Sequence, residues 1–292
     1  MFTAVENEYL VPFDGSFRRA EFPTSPPSGA PDKDTCKDII ESCVDALDDL
    51  QQMLYAHDRY SVLLVFQAMD AAGKDSTIRS VLRGVDPAGF QVFSFKKPSD
   101  RELDHDFLWR TAQRLPERGR IGVFNRSYYE EVLIVKVHPE YLNYQKLPRL
   151  PVDMNSFWQD RYQSIIDHER HLALNGTLVI KFWLNVSREE QRQRFLRRLD
   201  RPEKNWKFSA GDVRERQFWD SYMDAYESAL AATSRPWAPW YAIPADDKPF
   251  MRATVARTIV DNMKNLGIHY PTVDAKEKAR FDEMRQLLES QG

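Results

Sequence analysis

The run Val65-Phe66-Gln67-Ala68-Met69-Asp70-Ala71-Ala72-Gly73-Lys74-Asp75-Ser76-Thr77 holds the residues best suited to chemistry. An apolar segment passes into small residues, then Gly73-Lys74, then hydroxyls that open a helix. That order suits a loop that wraps an oxyanion. Amides at a helix N-terminus are unpaired and partly positive, so they hold phosphate oxygens. Small residues let the backbone come close, which makes Ala71, Ala72, Gly73, Asp75 and Ser76 the candidate phosphate contacts, with Lys74 reaching the terminal phosphate. Two positions depart from the standard pattern: Ala68 stands where its first glycine belongs, and Asp75 where it has Ser or Thr. The competing interpretation is an ordinary strand-to-helix turn with Lys74 in solvent. Asp70 is an acid inside an anion-binding loop, and it repels phosphate unless a cation stands between them. It therefore reads either as a magnesium-linked carboxylate or as a turn Asp bonding its own backbone.

A second group of residues is basic. Between Arg192 and Arg216 nine Lys and Arg face four acids, in a chain whose formal charge is −3. Arg197, Arg198, Arg201, Lys204 and Lys207 flank a stretch, Arg-Pro-Glu-Lys-Asn-Trp-Lys, that interrupts two helical patterns. A lid closing over an anionic substrate is the expectation there. For Arg192 and Arg194 the expectation is a solvated helical face with arginines paired to acids. Lys96 and Lys97 follow the carboxyl end of a strand, where α/β sheets place ligands.

The elements that must position these groups alternate. Strands are expected at Ser61–Gln67, Gln91–Phe95, Ile121–Asn125, Thr177–Leu184 and Trp240–Pro244. Helices are expected at Thr35–His57 (capped by Asp34 or Thr35), Asp75–Val85, Leu103–Leu115, Phe157–Leu174, Ser187–Leu199, Asp212–Ala232, Phe250–Leu266 and Lys276–Gln291. Strands alternating with helices predict one α/β domain with a parallel sheet covered on both faces. Residues 1–34, rich in Pro, Ser and Gly, read as an irregular arm.

Composition narrows the classes. The longest apolar stretches fall far short of the roughly 18 residues a membrane helix needs, and Glu6, Glu8 and Pro12 interrupt any signal-like run near the start. Forty-one Lys and Arg against 44 Asp and Glu give no global argument for a polyanion partner. Cys36 and Cys43 lie two helical turns apart, roughly 10.5 Å, too far for a disulfide. The expected compartment is cytoplasmic, with no nucleic acid and no membrane as partner. The tryptophans read as core or interface residues, and His105 and His138 show no evident partner.

These motifs resemble the family-2 polyphosphate kinases. Met69–Asp75 looks like that family's phosphate loop, Val123-Phe124-Asn125-Arg126-Ser127-Tyr128-Tyr129-Glu130-Glu131 its second phosphate-site motif, Phe95–Ser99 its stretch after strand two, and Trp240–Lys248 its strand-five segment. Ala68 and Asn125 stand where many members carry Gly and Asp. The resemblance implies a P-loop kinase-like, five-stranded parallel sheet flanked by helices, with an Arg/Lys-rich lid. It divides the chain into an irregular arm (1–34), a phosphotransferase domain (35–270, lid about 198–212) and a C-terminal helix (271–292). It implies phosphoryl transfer from inorganic polyphosphate to AMP or ADP, guanine nucleotides being further candidates, with Mg2+ or Mn2+ and a homo-oligomeric state. Asp70, Lys74 and Arg126 are then the catalytic candidates, and Asp70, Asn125, Glu130 and Glu131 the metal candidates. Asn125, as a neutral amide, would act through water. The two glutamates read equally well as acids at a helix start. An ATP-dependent nucleotide kinase of thymidylate-kinase type and a non-catalytic polyanion- or nucleotide-binding protein share the same loop and fold.

Overall fold

The structure, a computed structural model, describes residues 2–206 and 208–291; Lys207, a lid candidate, lies outside them. Five strands, β1 (Ser61–Gln67), β2 (Phe90–Ser94), β3 (Ile121–Asn125), β4 (Thr177–Asn185) and β5 (Trp240–Pro244), form one sheet in the order β2-β3-β1-β4-β5. Every pairing is parallel. β1, β3, β4 and β5 are buried along their whole length, which is why they read as continuous apolar runs rather than alternating ones. β2 is the exposed edge. The chain leaves β1 for β2 and β3 on one side, then crosses to β4 and β5 on the other. The crevice beyond the carboxyl ends of β1 and β3 is thus the topological switch point, where such sheets bind ligands.

Among the described residues the longer helices are α1 (Lys33–His57), α2 (Lys74–Val81), α3 (Met154–Leu174), α4 (Arg188–Leu199), α5 (Ala210–Glu215), α6 (Trp219–Thr233), α7 (Lys248–Lys264) and α8 (Ala275–Glu289). α1 packs on α7 and α2, while α3 packs on β4 and α6. The Asp32 side chain caps α1 by accepting from the Thr35 amide (2.8 Å), two residues before the expected cap. α2 stops at Val81, ahead of Gly84, whose φ of 114° no helix accommodates. The helix expected over Leu103–Leu115 breaks into one-turn pieces, Asp100–Leu103 and Trp109–Ala112, because Asp106 turns its carboxylate to the Leu108 amide (2.9 Å). The one expected over Asp212–Ala232 divides into α5 and α6 at a 3-10 turn, Arg216–Phe218.

The arm is irregular but fastened. Tyr9 and Val11 exchange backbone hydrogen bonds with β5 (Ala242 N to Tyr9 O, 2.8 Å; Val11 N to Trp240 O, 2.9 Å). It thereby closes the far edge of the sheet, and Tyr9, Val11 and Phe17 join the core. α8 contributes no buried residue.

A buried polar knot fixes the segment after β3. Lys181 on β4 donates to Glu169 on α3 (2.5 Å), to the Tyr129 hydroxyl (2.9 Å) and to Thr233 O (3.0 Å). The hydroxyls of Tyr128 and Tyr129 both reach Glu169 Oε1 (2.8 and 2.9 Å). Lys181 and Glu169 are 0% and 1% exposed. Burial pushes the Lys181 ammonium down to about 8, against the pull of Glu169. Removing one member leaves a lone charge in the core, which typically costs about 3–5 kcal/mol. Lys181→Ala is therefore expected to lower unfolding free energy by about that amount, measured by urea denaturation; a loss under about 1 kcal/mol, the scale of a surface pair, would contradict the knot.

Candidate active site

The loop after β1 is shaped by two left-handed residues, Ala71 (φ 63°) and Gly73 (φ 114°). Glycine is needed at the second. A Cβ there would lie 3.3 Å from Met251 Cε on α7, at a φ that disfavours side chains. Among the described residues, no acceptor faces the amides of Asp70, Ala71 and Gly73, and those of Lys74, Asp75 and Ser76 head α2 as orphan donors. The Ala72 amide, expected to join them, instead donates to Met69 O (3.2 Å). The hydroxyls of Ser76 and Thr77 both donate to Gly73 O (2.9 and 3.0 Å).

The loop's carbonyls are paired on its other side. Arg194, at 4% exposure, donates to Ala71 O (3.2 Å) and Ala72 O, and also to Ala245 O (2.5 Å) and Asp246 O (3.1 Å) beyond β5. The expected solvated face is corrected here: Arg194 pairs with Glu190 (2.8 Å) but is a buried clasp between loop and β5–α7 turn. Arg192 does remain on the surface, against Glu189. Gln191, one residue before, donates to Asp70 O (2.9 Å).

Lys74 lies buried inside the loop and donates to Ala68 O (2.6 Å) and Met69 O (3.4 Å). Burial, with Arg126 alongside, pushes its ammonium down to about 8, while Asp70, Glu130 and Asp75 pull the other way. Arg126, in the left-handed region (φ 65°) just past β3, donates to Asp70 (2.7 Å) and faces Glu130 (3.5 Å). Glu130 foremost, with Asp70, holds Arg126 charged against its burial. Burial raises the Glu130 carboxyl, opposed by Arg126 and Lys74. Gln67 donates to Glu130 Oε1 (2.9 Å) and accepts from Ser127. A cavity of about 40 Å³ lies against Asp70, Arg126, Glu130, Glu215, Tyr222 and Tyr226.

Asp70, Lys74, Arg126 and Glu130 thus come together, as do Asp75 and Asn125. Asn125 turns its amide nitrogen to Asp75 (2.6 Å) and Ser94 (3.4 Å), so it orients Asp75 rather than joining Asp70. Glu131 departs from the expected metal role. Its oxygens accept from Arg161 (2.9 Å) and Gln145 (2.7 Å), because the 3-10 turn Tyr128–Val132 sends neighbouring side chains to different sides. Among the described residues no group of three or more His, Cys, Asp or Glu forms a metal cage. Asp70 still fits a hard cation: Arg126 takes one oxygen, the other meets no protein donor among the described residues, and Mg2+ often uses a single carboxylate plus substrate phosphates.

The lid candidates divide. Arg198 stacks on Phe195 (5.3 Å) and faces Asp212 (3.7 Å), which burial and the nearby Asp70 push upward. Arg197 is tied to Glu190 (2.6 Å). Arg201 precedes the one-turn helix Pro202–Asn205 and Lys204 lies within it. Lys96 and Lys97 are exposed beyond β2, and no contact joins them to the loop. His138 has a partner after all, Glu215 (2.9 Å), which also accepts from Tyr222 (2.8 Å). Sequence reasoning missed Tyr222, Tyr226 and Gln67. The aromatic spacing Tyr222, Tyr226 on one face of α6 was the available signal.

A profile of the family described as polyphosphate kinase 2 matches residues 31–269. A Rhodopseudomonas palustris protein named ADP-polyphosphate phosphotransferase is 56% identical over 256 residues, 88% of this chain and 89% of that one. A Meiothermus ruber protein named AMP/ADP-polyphosphate phosphotransferase is 41% identical over 273 residues, 93% and 98% of the two chains. The crystal structure of polyphosphate kinase 2 from Arthrobacter aurescens TC1 superposes with a TM-score of 0.84 at 37% identity, covering 96% of this chain and 99% of that one. With the profile spanning most of its length and relatives at 56% and 41% identity, the chain belongs to the polyphosphate kinase 2 family.

Proposed function

We propose that the protein moves the terminal phosphoryl group of inorganic polyphosphate to the terminal phosphate of a nucleoside mono- or diphosphate, AMP or ADP. The observation that carries this reading is the loop whose unpaired amides surround Lys74 while Arg126 and Asp70 meet at its mouth. The names of the relatives at 56% and 41% identity support the substrate classes. An acceptor phosphate oxygen forms a bond to the donor's last phosphorus, the bridging P–O bond breaks, and the donor leaves one phosphate shorter. The acceptor is already ionised near neutral pH, so the chemistry asks for positioning and charge rather than a dedicated base.

Each side chain has a task. Lys74 exchanges its carbonyl partners for donor oxygens. Arg126 swings from Asp70 and Glu130 to the transferring group. Arg126 and Asp70 are 34% and 31% exposed, so an incoming phosphate can reach the pair and take Asp70's place beside the guanidinium. Mg2+, or Mn2+ in its place, supplies charge neutralisation when Asp70 and substrate oxygens hold it. Arg198, Arg201 and Lys204 cover the donor. No helix among the described residues is long and apolar enough to cross a membrane; a cytoplasmic, self-associating enzyme is our reading of its setting.

Incubation with polyphosphate, Mg2+ and a nucleotide panel, with ATP as a competing donor, tests the assignment: new nucleoside di- or triphosphate from polyphosphate is expected, and product from ATP alone would reject it. Lys74→Ala and Arg126→Ala should each lower kcat/KM by about 10²–10³-fold, the scale of one lost preorganised donor, while thermal unfolding stays near wild type. Retention of more than about a third of the activity would remove either residue from the mechanism.

The lysine also sets a pH dependence. An anion binds the protonated form, so affinity for polyphosphate should be flat below pH 8 and fall as pH rises through the free-protein value of about 8, by up to about tenfold per unit. Half-saturating polyphosphate measured from pH 6.5 to 9.5 checks this; an unchanging value would mean Lys74 does not meet the donor.

A further inference from the structure

A cavity of about 330 Å³ lies on the flank of α7 that faces the arm and the start of α1. Tyr9, Ile39, Phe250, Ala253, Arg257 and Asp261 line it, and the arm's turn at residues 27–31 covers it. No residue of the phosphate loop or of the segment after β3 reaches it among the described residues. Its volume is within the roughly 300–1,000 Å³ of small-molecule sites. The walls are in place without a ligand. α1 packs on α7, and Tyr9 O is tied to β5 by the Ala242 amide (2.8 Å).

The polar groups around the hollow divide into paired and unpaired. Asn7 donates to Thr258 (3.2 Å) and accepts from Tyr9 N (2.9 Å), while Thr254 and Thr258 each donate to a carbonyl one turn back (2.9 Å). The Tyr9 side chain is different. The residue is 4% exposed, and its hydroxyl is buried with no hydrogen-bond partner among the described residues. Burial, and then the adjacent Glu8, keeps that hydroxyl protonated, so it is a donor without an acceptor. Such a buried donor is costly and uncommon in native proteins. Arg257 and Asp261 stand one helical turn apart on the same flank, yet neither makes an ion pair or a side-chain hydrogen bond among the described residues. Between them and Tyr9 the hollow is apolar: Ile39, Ala253 and the Phe250 ring, which meets Tyr9 edge-on (6.3 Å). The charges at the rim are mixed, Arg257 against Glu8 and Asp261. A simple anion would meet two carboxylates, and a simple cation would meet the guanidinium. A zwitterion with an apolar body answers both signs.

We propose that this cavity is a binding site for an apolar α-amino acid, separate from the site of phosphoryl transfer. The ligand's carboxylate accepts from Arg257 and the Tyr9 hydroxyl, its ammonium faces Asp261, and its side chain fills the hollow beside Ile39, Ala253 and Phe250. Hydrogen bonds with a charged partner are the stronger kind, and the preformed walls limit what ordering costs. The site stands whether or not the crevice beyond β1 and β3 transfers phosphate.

Isothermal titration calorimetry of the full chain with L-phenylalanine and L-leucine tests this. Phenethylamine, 3-phenylpropionate and glycine serve as controls that lack, in turn, the carboxylate, the ammonium and the apolar body. At least one of the two amino acids should bind once per chain with a Kd below about 1 mM. Each control should bind about tenfold or more weaker, the scale of one lost hydrogen bond to a charged group or of one buried apolar side chain. Arg257→Gln and Asp261→Asn should weaken binding by about the same factor, Tyr9→Phe should also weaken it, and Ala253→Leu, which fills the hollow, should abolish it. An excess of ADP or of long-chain polyphosphate should leave the affinity unchanged. No binding by either amino acid, equal binding by Arg257→Gln, controls that bind as tightly, or displacement by ADP or polyphosphate would each overturn the proposal. Arg257 is exposed, so Arg257→Gln decides alone should Tyr9→Phe or Ala253→Leu fail to fold.

Discussion

A loop that turns its amides toward an oxyanion must turn its carbonyls somewhere else, and those carbonyls need donors. Here Arg194 supplies them from behind and Lys74 from within. Each buried carbonyl left without a donor would cost about 1–3 kcal/mol, and Arg194 serves two in the loop, Ala71 and Ala72. Those two offset what the left-handed Ala71 (φ 63°) withholds, since a residue in a sparse region costs about 1–3 kcal/mol. The anion-binding shape is therefore held by protein contacts alone, and catalysis begins from a loop that needs little reorganisation. The same guanidinium ties the loop to the β5–α7 turn.

The second part of the site is built on a different balance. Arg126 sits in a left-handed turn and is held by the carboxylates of Asp70 and Glu130. Its side chain is 34% exposed and open to an incoming anion. Its backbone cannot follow, because Arg126 N donates to Phe66 O (3.0 Å) and the next two tyrosines are locked by Glu169 and Lys181. A rigid base with an exchangeable tip is what transfer of a highly charged group requires. Burial at the Tyr-Tyr pair and exposure at the arginine are two consequences of one short segment.

Most of the sheet was legible because each buried parallel strand is one unbroken apolar run. β1, β3 and β5 have the expected bounds, β4 gains Asn185, and β2, the exposed edge, shifts by one residue. The helix expected over Leu103–Leu115 broke where the Asp106 side chain competes for a backbone amide, and the one over Asp212–Ala232 tightened into a 3-10 turn at Arg216–Phe218. In the site, the loop and its lysine could be read from residue types, since only small residues and a helix start make that cradle. What could not be read was direction. Arg194 and Arg197 are alike in sequence, yet one is a buried clasp and the other lies at the surface. Glu130 and Glu131 are neighbours, yet one faces Arg126 and the other Arg161. Periodicity assigns a residue to an element; which way a side chain points in a 3-10 turn depends on packing from elements far away in sequence.

The arm shows the same dependence at larger scale. Composition marks it as irregular, and local propensity says nothing of where it goes. Its attachment comes from partners more than 200 residues away: Val5 N donates to Asn262 (3.2 Å), Asn7 donates to Thr258 (3.2 Å), and Tyr241 donates to Val5 O (2.7 Å). Asn262 and Thr258 belong to α7, the helix whose first turn carries Lys248, Met251 and Arg252. The arm thus joins α7 to β5, and α7 in turn places Met251 against Gly73 of the loop. A segment without regular structure thus helps hold the helix that packs against the phosphate loop.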